Sequence, residues 1–173
     1  DALDVSAGWV FDSVMKPFAR LRNLRVLDLS DTDITDAGLA SIKGLEKIEK
    51  LCLSHTDVGQ SGLAVLAGMS RLTELELEST EINADAMREL KAFKHLRKLN
   101  ISCNSITDRG IAELSGIRSL ESLNAGATRI TDEGLKPLKG LSKLRVLSVG
   151  SNNIRDSGLL ELAGLKKLDT LHI

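Results

Sequence analysis

Leucine or isoleucine recurs every 24 residues along the whole chain, and this period leaves little freedom in what the chain can fold into. Leu24, Ile48, Leu72, Leu96, Leu120, Leu144 and Leu168 form one column. Leu27, Leu51, Leu75, Leu99, Leu123, Leu147 and Leu171 form a second, and Leu29, Leu53, Leu77, Ile101, Ala125, Val149 and Ile173 a third. A polar column follows, Thr32, Thr56, Thr80, Asn104, Thr128 and Asn152, and then an aliphatic one from Ile34 to Ile154. There is no insertion across six complete units, residues 24–167. Residues 1–23 read as a degenerate first unit with Leu3, Val5, Val10, Met15, Phe18 and Leu21 in register, and residues 168–173 as a truncated last strand. The whole is expected to be one domain.

Each unit has two halves. Leu24-x-x-Leu27-x-Leu29 alternates as a short strand buried on one face. The stretch Thr35-Asp36-Ala37-Gly38-Leu39, with Ile42 and Leu45 beyond it, carries the single apolar stripe of a short helix. Thr35, Thr107 and Thr131 are expected to cap the helices, and Asp36, Asp108, Asp132 and Asp156 to favour their positive ends. The Gly38 column predicts close helix approach, and the Gly44 column predicts left-handed helix caps. Partial strands are expected at Leu3–Val5 and Leu171–Ile173, making about eight in all.

Composition narrows the function. Lys and Arg total 23 against 24 Asp and Glu, a net charge of -1, so no global field draws in nucleic acid or an acidic membrane. No apolar run reaches the roughly 20 residues of a membrane helix. Cys52 and Cys103 fall at different repeat positions two coils apart, beyond disulfide reach, and read as free thiols of a reducing, cytoplasmic setting. Aromatics make up only 2% of the chain, so few side chains are suited to anchoring an interface. Trp9 reads first as packing within the N-terminal unit and second as such an anchor.

The run L-x-x-L-x-L-x-x-T/N-x-I-T-D-x-G-L-x-x-L-x-G-L, as in Thr131-Asp132-Glu133-Gly134-Leu135, resembles the leucine-rich-repeat family, in particular its 24-residue bacterial and cysteine-containing types. The resemblance implies an α/β solenoid, a right-handed horseshoe with a concave parallel sheet and convex helices. It also implies a role in binding a protein partner, either as a module in its own right or as the substrate-recruiting part of a larger effector or ubiquitin-ligase-type protein.

Binding is then expected in the strand residues that point away from the core. On the concave face these include Asp28, Asp31, Cys52, His55, Glu74, Glu76, Glu78, Asn100 and Asn124. The first half of this face is acidic and the second small and neutral, which suits a basic protein partner. Glu74 lies between Lys50 and Lys98 and is expected to pair sideways, whereas Glu76, Glu78 and Glu81 lack such partners. One rim collects cations, among them Arg71, Lys94, Arg118, Lys143 and Lys167. They read as complements of the helix dipoles, with phosphate or acidic-protein binding as the other reading. The unfinished C-terminal edge is an expected site of self-association or of continuation into further chain.

Asp31, His55 and Ser79 share a column, which admits a hydrolase reading. A shallow regular sheet offers no oxyanion hole or substrate pocket, so the chain reads as non-enzymatic. Asp31-x-Asp33-x-x-Asp36 misses the calcium-loop spacing, and no zinc spacing or phosphate loop occurs. No metal, cofactor, nucleic acid or membrane partner is implied. A purely structural spacer is the remaining alternative.

Overall fold

A computed structural model describes all 173 residues. Eight strands, β1 (Ala2–Asp4), β2 (Val26–Asp28), β3 (Lys50–Cys52), β4 (Glu74–Glu76), β5 (Lys98–Asn100), β6 (Ser122–Asn124), β7 (Val146–Ser148) and β8 (Thr170–His172), pair in sequence order in one parallel sheet. Partners are 24 residues apart throughout: Leu27 faces Leu51, Leu51 faces Leu75, and so on to Leu171. The terminal strands begin one residue earlier than alternation suggests, because pairing centres on the inward Leu27 column. Five short helices return the chain behind the sheet: α1 (Asp36–Ser41), α2 (Gln60–Leu66), α3 (Thr107–Ala112), α4 (Asp132–Leu135) and α5 (Asp156–Leu159). Coil four uses a 3-10 segment, Ala86–Ala92, in their place. A single apolar cluster of 42 residues runs between sheet and helices from Met15 to Leu165.

One strand of three residues cannot stand alone. Each coil therefore leans on its neighbours, and the contacts between coils show how. Asp12 accepts hydrogen bonds from the Thr35 backbone N–H (2.9 Å) and hydroxyl (2.6 Å) in the next coil. Asp108 repeats this with Thr131 at 2.8 and 2.7 Å, and Asp36 and Asp132 receive the N–H groups of Gly59 and Arg155. These aspartates thus tie successive coils together as well as meeting the helix dipole. Their carboxylates also explain the first glycine column. A Cβ on Gly38, Gly62, Gly134 or Gly158 would lie under 3.0 Å from the preceding coil's aspartate oxygen. Where that aspartate is replaced by Gln60, the glycine position holds Ala86.

Coil four breaks the pattern and shows what it is worth. Ala84 stands where the aspartate would, so the Thr107 N–H has no carboxylate to meet and bonds instead to the Thr128 carbonyl oxygen at 2.9 Å. Thr107 takes a φ of 61° there, a left-handed conformation that costs a β-branched residue dearly. It is not the helix cap its sequence suggests, whereas Thr35 and Thr131 accept from Ala37 and Glu133 as expected. Restoring the missing carboxylate with Ala84→Asp is expected to stabilise the chain by about 1–2 kcal/mol in urea titration, since Gly110 leaves room for it. A loss of stability would show that the carboxylate link is not general.

The second glycine column departs from expectation. No glycine has positive φ, and a Cβ on Gly44, Gly116, Gly140 or Gly164 would meet nothing. The helical segments end in tight turns centred on Phe93, Ile117, Leu141 and Leu165, near φ −84° and ψ 66° as at Leu141. These are inverse γ-turn angles, which any residue adopts, so no left-handed cap is needed. Trp9 is also unlike its expectation: it is 89% exposed and packs into no cap.

Candidate functional site

The outward strand residues line up across the sheet as the register demands. Asp28, Cys52, Glu76, Asn100 and Asn124 are consecutive partners in one row, and Lys50, Glu74 and Lys98 are consecutive in the next. Glu78 lies on the same face beyond Glu76, half-buried, and accepts from the Asn100 side-chain amide at 3.2 Å. These residues form one continuous surface. Asp31 and His55 sit at its margin. They belong to a series, Asp31, His55, Ser79, Cys103, Ala127 and Ser151, in which every residue has positive φ between 48° and 58°. Strict alternation would send this position inward. The left-handed turn instead swings Asp31 and His55 out to solvent while their N–H groups extend the ladder to Ser54 and Glu78.

Much of the row is engaged with its own backbone. Asp28 accepts from the Ser30 N–H (3.0 Å) and hydroxyl (2.6 Å). Asn100 does the same for Ser102, and Asn124 for the Gly126 N–H. Each side chain closes a small turn at the end of its strand and fixes the direction in which the chain leaves the sheet. Sequence alternation alone gave no sign of this second duty. Cys52 is half-buried, and burial pushes its thiol above the ordinary range, which disfavours a nucleophilic thiolate.

The glutamates divide into two electrostatic classes. Glu74 pairs with Lys98 at 2.8 Å and Lys50 at 3.7 Å, and the Lys98 hydrogen bond holds its carboxyl below the ordinary value. Glu76 goes the other way: burial in the sheet raises it, and Glu74 and Glu78 add to the effect. A raised carboxylate makes the folded state bind more protons than the unfolded chain, so stability falls as pH rises from the ordinary value of 4.5 through the folded one. Glu76→Gln is therefore expected to be more stable than wild type at pH 7, with the difference fading below pH 4.5. Denaturation midpoints across that range check it; a constant difference would contradict the cause given.

Asp31, His55 and Ser79 stand on successive coils with no hydrogen bond among them, and no depression of the surface is lined by them. The largest depression, about 430 Å³, lies at the N-terminal end beside Leu3, Leu21 and Arg22. No group of three or more His, Cys, Asp or Glu is placed to hold a metal ion, and no helix is long and apolar enough to cross a membrane.

A stacked parallel sheet backed by short helices at a 24-residue pitch defines a leucine-rich-repeat solenoid with its sheet on the concave side. A leucine-rich-repeat family model matches residues 20–43, 94–115 and 140–163. Among solved structures, the chain is similar to an internalin (inlF) from Listeria monocytogenes, with 26% identity and a TM-score of 0.86 over 99% of this chain and 47% of that one. It is also similar to internalin C2 of the same organism, at 26% identity and a TM-score of 0.82 over 98% of this chain and 69% of that one. A plant peptide hormone receptor, RGFR1 in complex with RGF2, shares the fold at 18% identity and a TM-score of 0.63, over 99% of this chain and 32% of the receptor. No curated protein matches in sequence. The chain has the leucine-rich-repeat solenoid fold, and it spans about half the length of the inlF internalin.

Proposed function

We propose that the concave sheet face is a non-catalytic binding surface for a basic protein partner. Asp28, Asp31, Cys52, His55, Glu74, Glu76, Glu78, Asn100 and Asn124 form the contact region, and Glu76 with Glu78 lies at its centre. One observation carries the reading: these two half-buried carboxylates form no ion pair, whereas Glu74 beside them is bridged on both sides. A cationic side chain from a partner would relieve the cost that burial imposes on Glu76 and gain a charge-assisted hydrogen bond. The turns closed by Asp28, Asn100 and Asn124 hold the surface rigid in advance, which lowers the ordering cost of association.

The test is affinity capture with wild type against Glu76→Lys/Glu78→Lys, both checked for folding by circular dichroism. A basic partner retained by wild type is expected to be lost by the variant, because like charges now oppose it. Equal recovery of every partner by both proteins would remove the proposal.

A further inference from the structure

A second surface, on the opposite side of the strands from the left-handed turns, is built for the opposite charge. In five of the seven coils a hydrogen bond closes a tight turn between the end of the helical return and the next strand. Lys94 N–H bonds back to Ala92 O, and the same bond joins Arg22 to Arg20 and Lys166 to Gly164. Each of the seven coils carries a cation at this point of the repeat, including Lys47, Arg71, Lys94, Arg118, Lys143 and Lys167, all of them exposed. The constant register stacks them at about 4.8 Å per coil in two adjacent positions, Lys47, Arg71, Lys143 and Lys167 in one and Arg22, Lys94, Arg118 and Lys166 in the other, which together form one ridge. Neighbouring charges therefore sit well within the screening length of roughly 8–10 Å and repel one another.

Two structural explanations for such a row fail. The first is the helix dipole. Its influence is confined to the last turn, but Lys94, Arg118, Lys143 and Lys167 lie two or three residues past the helical segments, and none of their charged side chains bonds to a helix carbonyl. The second is mutual neutralisation. A column only two to four residues further along achieves it: Arg25 pairs with Glu49 at 3.3 Å, Arg97 with Glu121 at 2.9 Å and Arg145 with Asp169 at 3.2 Å. The outer row contains a single acid, Glu46, and Arg71, Lys94, Arg118, Lys143 and Lys167 form no ion pair. The chain as a whole is nearly neutral, so its charges are segregated rather than in excess.

We infer that this rim docks an extended acidic segment of a protein, separately from the concave face. Six coil-to-coil steps span about 29 Å, the length of roughly nine extended residues. The exposed row carries no Phe, Tyr or Trp and only the single imidazole of His95, too few rings to stack successive bases, which favours a polypeptide over a single strand.

Fluorescence anisotropy with a labelled deca-glutamate peptide tests this. Wild type is expected to bind saturably and more weakly as salt rises, and Arg118→Gln/Lys143→Gln to bind on the order of fivefold less tightly. Arg129→Gln/Arg155→Gln removes the same charge from the other rim and is expected to leave affinity unchanged. Four results would each overturn the inference: no saturable binding, equal affinity in the rim variant, an equal loss in the control variant, or tighter binding of an oligothymidylate or of phosphatidylserine vesicles than of the peptide.

Discussion

Asn104→Ala is expected to lower the unfolding free energy by about 2–5 kcal/mol, among the largest effects of any single polar substitution in this chain. Asn104 is 6% exposed. Its amide donates to three carbonyls, Leu77 at 2.7 Å in the preceding coil and Ile101 and Ser102 at 3.0 Å in its own. Its oxygen accepts from the Thr80 N–H at 3.1 Å. Alanine would strand the Ile101 carbonyl and the Thr80 N–H, and each unpaired group costs about 1–3 kcal/mol. Thr32 and Thr56 occupy the same column, and their hydroxyls bond only to a carbonyl of their own coil. Asn104→Thr should therefore keep the bond to the Ile101 carbonyl and lose the link to coil four, at a smaller cost. Urea titration of both variants checks the difference; a loss below 1 kcal/mol for Asn104→Ala would show that the asparagine is not a tie between coils.

Leu75→Ala is expected to cost about 2–5 kcal/mol, the range for a buried leucine whose site cannot fully collapse. Leu75 is 0% exposed and lies midway along the row of inward leucines, between Leu51 and Leu99. The cavity would open inside the single apolar cluster, and both flanking coils lose packing there. In a linear stack stability is a sum of coils and their interfaces, so a central cavity weakens two interfaces at once. The denaturation curve is expected to lose steepness as well as shift. A cost under 1 kcal/mol would mean that the inward column is not the core.

The architecture was legible because a single period governs it. Once Leu27, Leu51 and Leu75 are equivalent, register, sheet order and the identity of the exposed rows follow without further information. The members of the candidate surface were legible for the same reason, but their second duties were not. That Asp28 and Asn100 close turns on Ser30 and Ser102 depends on where the strand ends, which alternation does not mark. The left-handed turn at Asp31 and His55 was hidden because no glycine announces it. The converse error, expecting left-handed caps at the Gly44 column, came from treating glycine as evidence of a conformation it merely permits. The aspartate link between coils did leave a trace. Asp12, Asp36, Asp108 and Asp132 are each followed 26 residues later by glycine, and Gln60 by Ala86. Reading that pairing needs the loops to be side by side, which only the assembled stack makes plain. Trp9 had no periodic partner at all, so its exposure could not be inferred from the repeat.

NMR chemical-shift mapping of the chain with a captured basic protein most directly tests the functional account. Perturbations should gather on the sheet-face residues from Asp28 to Asn124, greatest at Glu76 and Glu78. Shifts confined to the helices, or spread evenly over the surface with those glutamates unmoved, would contradict it.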